Sequence, residues 1–471
     1  MTRRVWLQLC LLFLLSAGLA VSQGPVTLVL LHTNDMHGQI LPRNGIGGLA
    51  QLATAIRREQ PDLLLDGGDI FTGTMVSDEY YGKPMIEVMN RLGYAAGALG
   101  NHEFDYGLPE LRNRLREAAF PILSANVTGV EEVRPFTVVT VKNVRVGIIG
   151  VTVEGLATVT HPKNMKTIVV KDIVESVREI LPKVRAASDF QIVAAHITPE
   201  EQLRIAKAFP EIRLIVAGHP HAARATQIGQ TLVVESGNSV QNVGKVVIRL
   251  VGNVPESITS EILSLRGLPA DPEIQSVIAP YEKTIAARSA ERLGESRADL
   301  RKSDTEESAL NNMIADATRD AGGTQIGLQN LGGIRATLGR GTITKGAIFD
   351  IIPFQNTVVR MDLTGQELKR VLNRRVLAVS GIRVSWDTTR PRGSQLVSAS
   401  LPSGQPIQDT ARYSVAVNDF MAAGGDGLVE LTQGAATRDT GILLRDAIAA
   451  YLKKNPVVSA ATDGRVTIRN R

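Results

Sequence analysis

The sequence has almost no cysteine: its single one, Cys10, lies in an apolar N-terminal segment. A chain that loses this segment has no thiol, which excludes disulfides, a thiolate nucleophile and cysteine metal ligands. No dense run of Lys and Arg accompanies the net charge of +5, so charge alone does not predict nucleic-acid binding. No later stretch is long and apolar enough to predict a stable membrane span.

The N-terminus is typical of a secretory signal peptide at residues 1–22. Arg3 and Arg4 precede the apolar run Val5–Leu15, and small residues follow it. Cleavage after Ala20 and cleavage after Ser22 both fit, and an uncleaved anchor is the alternative. The sequence around Cys10 lacks the small residues of a lipoprotein site. We expect a secreted or periplasmic protein.

Short apolar runs alternate with helical patterns over residues 23–265. The runs are near-continuous and therefore typical of strands buried on both faces; they are Val26–Leu31, Leu63–Leu65, Ala95–Leu99, Val144–Val151, Gln191–Ala195, Leu214–Ala217 and Thr231–Val234. Helical spacing occurs between them, at Leu49–Glu59, Pro84–Leu92, Pro109–Ala119 and Ile173–Ala187. The pattern predicts an α/β layered domain.

The remaining chain has a different pattern. Asp271-Pro272-Glu273 is a good helix start, and we expect a linker helix within residues 266–300. Residues 301–471 combine Gly-rich turns with short strand-like runs such as Gly381–Trp386 and Tyr413–Val417. This pattern predicts a smaller α+β domain.

Polar motifs follow the apolar runs of the first domain. They are Asp35-Met36-His37, Gly67-Gly68-Asp69, Gly100-Asn101-His102-Glu103, Thr152, Ala195-His196 and Gly218-His219-Pro220-His221. Five of the seven histidines of the chain lie in these motifs. Since loops at the carboxyl ends of strands converge on one crevice, we expect these side chains to meet.

The residue types favour a centre with two divalent metals. Two close cations repel each other unless they share a negative ligand, and Asp69, after two glycines, is the natural candidate. Asp35, His37 and His221 suit the first metal; Asn101, His196 and His219 suit the second. Mixed nitrogen and oxygen donors favour Zn²⁺, Mn²⁺ or Co²⁺ over Ca²⁺. Each motif alone is more often a turn, a helix cap or a loop; their combination indicates the metal site.

His102 is interpreted as a catalytic group, not a ligand. It directly follows Asn101, and Asp105 is near enough in sequence to fix its tautomer and raise its pKa. Such a pair beside a phosphate can donate a proton to the leaving oxygen. His32, inside the first strand, is expected to be structural, and no functional role is expected for His161.

These motifs together resemble the secreted 5′-nucleotidase family, a branch of the calcineurin-like metallophosphoesterases. The likeness continues through Asn330–Arg335, Pro353–Thr357 and Asn418–Gly427. The resemblance implies a four-layer α/β/β/α metallophosphoesterase domain joined by a helix to a smaller α+β substrate-binding domain. It also implies that Asp35, His37, Asp69 and His221 hold one metal, that Asp69, Asn101, His196 and His219 hold the other, and that His102 and Asp105 are the catalytic pair.

The same resemblance implies a substrate pocket in the C-terminal domain, from Asn330, Arg335, Phe420 and Asp426. Arg335 would contact phosphate, Phe420 would stack on a base and Asp426 would contact a sugar hydroxyl. A second stacking aromatic is expected before a motif like Val379–Ile382, but residues 375–378 contain none. Arg374 and Arg375 could contact phosphate there or solvate a helix end.

The sequence therefore predicts a 5′-nucleotidase that hydrolyses nucleoside 5′-phosphates, with a small-molecule nucleotide as its partner. Alternatives on the same site are a 2′,3′-cyclic nucleotide phosphodiesterase, a nucleotide-sugar pyrophosphatase or a sulfur-ester hydrolase. An alternative of another class is a secreted binding protein with a vestigial metal site. The oligomeric state is not predicted.

Overall fold

Two mixed six-stranded sheets face each other in the first part of the chain. The computed structural model describes residues 24–43 and 45–469, so the predicted signal peptide lies outside the described residues. The strands up to residue 264 are β1 (Val26–Thr33), β2 (Leu63–Asp66), β3 (Ala96–Ala98), β4 (Ile122–Leu123), β5 (Val127–Thr128), β6 (Phe136–Val141), β7 (Val144–Thr152), β8 (Val169–Val170), β9 (Phe190–His196), β10 (Leu214–Gly218), β11 (Ala223–Ile228), β12 (Thr231–Ser236), β13 (Asn242–Val251) and β14 (Val254–Ser264). One sheet has the order β14-β13-β1-β2-β3-β4 and the other β11-β12-β10-β9-β7-β6.

The two sheets bury one apolar layer between them and pack helices on their outer faces. Leu30 and Leu65 of the first sheet meet Ile148 and Val216 of the second in this central layer. The helices of this domain are Leu49–Glu59, Met75–Glu79, Lys83–Leu92, Leu108–Glu117, Leu156–Val159, Ile173–Ala187 and Pro199–Ala208. Alternate residues of each strand face the helices, as successive strand side chains must. The predicted α/β/β/α layering is confirmed.

The strands that carry the polar motifs are parallel neighbours. β1, β2, β3 and β4 are parallel, and so are β7, β9, β10 and β12. Their carboxyl ends therefore lie at the same edge of the layered domain, which places the motifs together. The antiparallel hairpin β13–β14 extends the first sheet beyond the strands that the sequence predicts.

The second domain is built around a five-stranded sheet with the order β19-β16-β22-β18-β23. Its strands and those of two small three-stranded sheets are β15 (Arg292–Ser296), β16 (Ile326–Asn330), β17 (Gly341–Thr344), β18 (Thr357–Thr364), β19 (Leu377–Ser380), β20 (Arg383–Asp387), β21 (Leu396–Ser400), β22 (Arg412–Asn418), β23 (Ala435–Leu443), β24 (Val457–Val458) and β25 (Val466–Arg469). Its helices are Ala309–Gly322, Lys345–Ile351, Gly365–Arg374, Asp419–Ala422 and Leu444–Lys454. This is the predicted α+β architecture.

The helix Pro272–Ser289 connects the domains and packs on the first one. Ile274, Ile278 and Ile285 are buried in the outer helical layer of that domain. The next strand, β15, already pairs with β17 and β24 of the second domain. In the described part of the chain, no helix combines the length and apolarity that crossing a membrane requires. The domain boundaries stay a prediction.

Candidate metal centre and substrate cavity

The loops after β1 and β2 are joined to each other by backbone hydrogen bonds. Asp35 N donates to Gly68 O and His37 N donates to Asp69 O, both at 2.9 Å. In the second sheet, β9 places His196 opposite Gly218 at the end of β10, which puts His219 directly beside it. The two sheets thereby direct the predicted ligands toward one point.

Five of the predicted ligands have positive backbone φ angles, which residues other than glycine rarely adopt. They are Asp35 (49°), His37 (48°), Asp69 (60°), His219 (93°) and His221 (58°). Such strained conformations cost on the order of 1–3 kcal/mol each and persist only where the surrounding structure holds them. Their concentration at one crevice indicates that the backbone is bent there to direct these side chains.

All seven predicted metal ligands are brought together, with Asp69 in the middle. Asp69 Oδ2 lies 3.1 Å from His196 Nε2 on one side and 3.9 Å from His37 Nε2 on the other. On the His37 side, His221 Nε2 lies 3.0 Å from His37 Nε2 and 3.4 Å from Asp35 Oδ1. On the His196 side, Asn101 Oδ1 and His219 Nδ1 each lie 3.2 Å from His196 Nε2.

This donor set fits divalent metal ions. Asp35 and Asp69 are almost fully buried, and buried carboxylates need pairing or coordination to remain charged. Burial raises the pKa of Asp35 to about 6, and burial lowers the pKa of His219 to about 4 and that of His221 to about 3. His219 and His221 are thereby favoured as neutral imidazoles, the form that binds a metal. At His196, burial lowers the pKa, but Asp69 outweighs this effect and raises the pKa to about 10, so a metal bound there would displace its proton.

Neighbouring groups hold the ligands in position. His37 Nδ1 lies 3.2 Å from the Thr72 carbonyl and His196 Nδ1 lies 2.9 Å from that of Gly67, which leaves Nε2 of both rings for the centre. Glu103 accepts backbone hydrogen bonds from Asp69, Ile70 and Gly100 and so fixes the Asp69 loop. The sequence interpretation gave Glu103 no role, although it lies inside a quoted motif.

His102 and Asp105 form the pair that the sequence predicts. His102 Nδ1 lies 2.7 Å from Asp105 Oδ2, while His102 Nε2 lies 3.9 Å from Asp69 Oδ2. Burial lowers the pKa of His102, but Asp105 and Asp69 outweigh this effect, and the pKa is raised overall. With Nδ1 turned to Asp105, the ring directs Nε2 to the centre. By distance alone, His102 also lies close enough to His37 and Asp69 to join a metal site.

A cavity of about 280 Å³ lies over this centre and is lined by both domains. Arg335 enters it from the second domain, and its Nη2 lies 3.2 Å from His37 Nε2. Asp426 also lines the cavity; Asn330 Nδ2 donates to one of its oxygens at 2.7 Å and Arg375 pairs with the other at 2.8 Å. Arg374 pairs with Glu430, so both arginines have carboxylate partners within the domain.

Two phenylalanines line the cavity, not the single one expected from the sequence. Phe420 lies on one wall, and Phe354 stacks on the His102 ring with centroids 5.3 Å apart and an interplanar angle of 18°. Residues 375–378, where the resemblance leads one to expect a second aromatic, contain none, and Phe354 enters the cavity from a different segment. Phe354 follows Pro353 in the quoted run Pro353–Thr357, so the signal was present in the sequence.

The remaining histidines differ in environment. His32 is buried in β1, and its Nδ1 has no hydrogen-bond partner among the described residues, which fits a structural role. His161, for which the sequence predicts no role, lines the cavity and contacts Asp419 of the second domain. Thr152 donates to the Leu99 carbonyl at 2.7 Å and ties β7 to the first sheet.

Comparison with known proteins identifies the family. Residues 28–223 match the family model for calcineurin-like phosphoesterases, and residues 284–433 match that for the 5′-nucleotidase C-terminal domain. The structure is similar to that of a 5′-nucleotidase precursor from Thermus thermophilus, with a TM-score of 0.88 and 31% identity over 95% of this chain and 100% of that one. This chain belongs to the 5′-nucleotidase family. It is therefore a metal-dependent phosphoric ester hydrolase.

Curated 5′-nucleotidases from animals are also similar over nearly their whole length. The snake venom 5′-nucleotidase of Gloydius brevicauda is 28% identical over 96% of this chain and 90% of its own. The human 5′-nucleotidase is 28% identical over 97% of this chain and 93% of its own. The likeness thus spans both domains of the 5′-nucleotidase architecture.

Proposed function

We propose that this protein is a 5′-nucleotidase that hydrolyses nucleoside 5′-phosphates to a nucleoside and phosphate. One observation carries the proposal: a single cavity joins the cluster of metal-binding side chains to Arg335, two phenylalanines and Asp426. Metals held by the donor cluster would bind a phosphate. The aromatic side chains suit a base, and the Asp426 carboxylate suits the hydroxyls of a sugar. A nucleotide is the substrate class that needs all of these groups at once.

The proposed centre holds two divalent metals of the Zn²⁺, Mn²⁺ or Co²⁺ type. One would be held by Asp35, His37, Asp69 and His221, and the other by Asp69, Asn101, His196 and His219. When bound, such ions neutralise phosphate charge and activate water for attack on phosphorus. The buried Asp69 carboxylate, between the two groups of histidines, supplies the negative charge that the shared position needs.

His102 and Asp105 are proposed to act on the phosphoryl group. The Asp105 carboxylate favours the charged form of the ring and orients it through Nδ1. His102 Nε2–H is then free to donate to a phosphoryl oxygen and to stabilise charge that develops as the ester bond breaks. His102 would thus lower the barrier of the chemical step.

The second domain is proposed to select the substrate. The Arg335 guanidinium, close to His37, is placed to pair with a phosphate oxygen. Phe420 offers a flat apolar surface to a base, and stacking contributes about 1–3 kcal/mol per base. Asp426, held by Asn330 and Arg375, presents oxygens that accept hydrogen bonds from sugar hydroxyls.

The protein is proposed to act outside the cytoplasm, secreted or in a periplasm. The predicted signal peptide at residues 1–22 supports this location. One similar protein is named for venom, a secreted fluid. The location is tested by comparing the full-length protein with an Arg3→Glu/Arg4→Glu variant. The N-terminal residue and the compartment of the protein are determined for both. An intact N-terminus on cytoplasmic protein would contradict it.

The decisive experiment measures phosphate release by the purified mature protein. AMP, 2′,3′-cyclic AMP, a nucleotide sugar and p-nitrophenyl phosphate are compared with added Mn²⁺, Zn²⁺ or Co²⁺ and with chelator. We expect metal-dependent release from AMP to exceed that from the other natural substrates. A preference for the cyclic nucleotide or the nucleotide sugar would show that this compound, and not a nucleoside 5′-phosphate, is the substrate. No metal-dependent release of phosphate from AMP would refute the proposed function.

Removing one stacking surface tests the base site separately. Phe420→Ala should raise KM for AMP about tenfold, as the loss of one stacked base predicts, and leave p-nitrophenyl phosphate turnover nearly unchanged. Val429→Ala, an exposed side chain on the following 3₁₀ turn, is the matched control and should affect neither substrate. Equal losses on both substrates would contradict a base-stacking role for Phe420.

A further inference from the structure

His161 links the two domains through one hydrogen bond. It precedes the 3₁₀ turn Pro162–Asn164 of the first domain, and its Nε2 lies 3.2 Å from Asp419 Oδ2 of the second. Both side chains are largely buried, with 17% of each exposed. Solvent therefore screens this contact less than it screens the exposed ion pairs elsewhere on the surface.

The tautomer of His161 is set within its own loop. The backbone N–H of Lys163 donates to His161 Nδ1 at 3.2 Å, so this nitrogen is the acceptor of the ring. A neutral imidazole with Nδ1 as acceptor carries its proton on Nε2. The ring therefore donates to Asp419, and the first domain supplies the donor while the second supplies the acceptor.

Asp419 in turn joins the two segments that carry the phenylalanines. It lies next to Phe420 at the start of the helix Asp419–Ala422. Its other oxygen, Oδ1, accepts from Asn356 Nδ2 at 2.7 Å and from Thr357 N at 3.3 Å. Asn356 is two residues from Phe354, so this one carboxylate ties both aromatic walls together.

The His161 ring is not itself a stacking surface. Its centroid lies 6.4 Å from that of Phe420, and the rings are tilted by 59°. Its polar contacts are with Lys163 N and Asp419 and leave neither nitrogen directed at a base. Its contribution to the cavity therefore passes through Asp419.

We propose that His161 is a positioning residue for nucleoside binding, one that holds Phe420 in place at the cavity wall through Asp419. This role rests on the proposed function, because it concerns the base and sugar end of the substrate. It gives the first domain, which supplies the candidate metal ligands, an indirect part in recognising the nucleoside, through Asp419 of the second domain. A substrate without a base does not need it.

The test compares His161→Ala and His161→Phe with wild type. The Phe variant keeps a ring of similar volume and removes the donor, so it answers the question even where the Ala variant does not fold. Both should raise KM for AMP about three- to tenfold, the effect of one hydrogen bond, with kcat within about twofold and p-nitrophenyl phosphate kinetics unchanged. Adenosine binding, measured by calorimetry, should weaken by the same factor.

Two further variants separate positioning from general damage. His161→Gln places an amide donor near the position of Nε2 and should restore KM to within about threefold of wild type. Lys166→Ala, an exposed residue of the same loop, is the matched control and should behave as wild type. Combining His161→Ala with Asp419→Ala should raise KM no further than Asp419→Ala alone, because both changes break one linkage.

The outcomes distinguish this role from the proposed function. A wild-type protein that does not hydrolyse AMP would refute the proposed function itself. A wild-type protein that hydrolyses AMP, together with a His161→Phe variant of unchanged KM and adenosine affinity, would overturn only the role of His161. The role of His161 would also be overturned if its variants changed the kinetics on AMP and on p-nitrophenyl phosphate equally. The same holds if the KM increases of His161→Ala and Asp419→Ala multiply in the double variant.

Discussion

At the scale of single residues, the side chains in the centre are restrained by contacts outside it. Asp69 takes a left-handed backbone conformation that Glu103 stabilises with three backbone hydrogen bonds on and around its loop. His102 is oriented by Asp105 in the same way. These outer contacts cost nothing to form at the moment of reaction, which is how a preorganised site lowers a barrier.

Asp105→Asn tests the orientation of His102. The amide cannot stabilise the charged ring, so we expect kcat to fall about 10- to 100-fold on AMP and on p-nitrophenyl phosphate alike, with small changes in KM. Steady-state kinetics on both substrates measure this, with the partly exposed Glu110→Gln change on the following helix as control. A loss confined to AMP would place Asp105 at the nucleoside end instead.

Asp78 gives a prediction about pH and stability. Burial raises its pKa to about 7, although Tyr106 donates to its Oδ1 at 2.5 Å. Between about pH 4 and about pH 7, Asp78 is protonated in the folded protein but ionised in the unfolded chain. The Asp78 carboxyl therefore lowers the free energy of unfolding progressively as the pH rises through this interval.

Asp78→Asn removes this titration. Its stability relative to wild type should increase as pH rises through that interval, by up to about 4 kcal/mol. Thermal midpoints of both proteins at several pH values between 4 and 8 measure the difference. The same difference at the two ends of the range would show that Asp78 does not titrate as its burial implies.

At the scale of secondary-structure elements, the turns after the strands decide where the side chains point. Gly68 follows β2 with a φ of 91°, and a Cβ there would lie 2.9 Å from His196 Nδ1 and 3.0 Å from Gly100 N. The turn thus brings two other ligand-bearing loops into contact with its backbone. A Cβ at Gly67, Gly100 or Gly218 would also be too close to its neighbours, so several glycines permit the close approach at the centre.

Gly68→Ala and Gly93→Ala form a matched pair. Gly93 has a similar φ of 77°, but nothing lies within 4 Å of its added Cβ. Gly93→Ala should cost about 1–2 kcal/mol of stability from backbone strain and retain activity. Gly68→Ala adds overpacking of about 1–3 kcal/mol and should also lose metal affinity, measured by calorimetry. Equal stability and equal metal affinity of the two variants would contradict the close approach at Gly68.

Sequence pattern predicts some elements better than others. Helices Leu49–Glu59 and Ile173–Ala187 have the predicted bounds because their apolar residues recur at helical spacing. The hairpin β13–β14 was not among the predicted strands, and β14 is exposed on much of its length and lacks an apolar run. Phe354 was missed as a cavity residue because sequence distance does not show that its loop reaches His102.

At the scale of the whole molecule, the cavity exists only where the two domains meet. Arg335 of the second domain approaches His37 of the first, and Phe354 covers the His102 ring. In the proposed function, chemistry and recognition are divided between the domains, with His161 and Asp419 as a contact between them. Any change that separates the domains should affect nucleotide binding more than it affects the metal ligands.

Metal removal should therefore destabilise mainly the first domain. The buried carboxylates Asp35 and Asp69 repel each other without cations, and a ligand that binds only the folded state stabilises it more as its affinity increases. We expect chelator to lower the thermal midpoint and Mn²⁺, Zn²⁺ or Co²⁺ to restore it. An unchanged midpoint after verified metal loss would show that the centre contributes little to folding.

The reaction chemistry was already encoded in the order of the residues, because the metal-binding types follow apolar strands whose carboxyl ends converge. Strand period and turn residues depend on interactions within a few positions, so local physics is enough to predict them. The substrate end of the cavity, in contrast, arises only in the folded protein. His161 and Asp419 are 258 positions apart, and no local pattern encodes a contact that depends on how two folded domains pack.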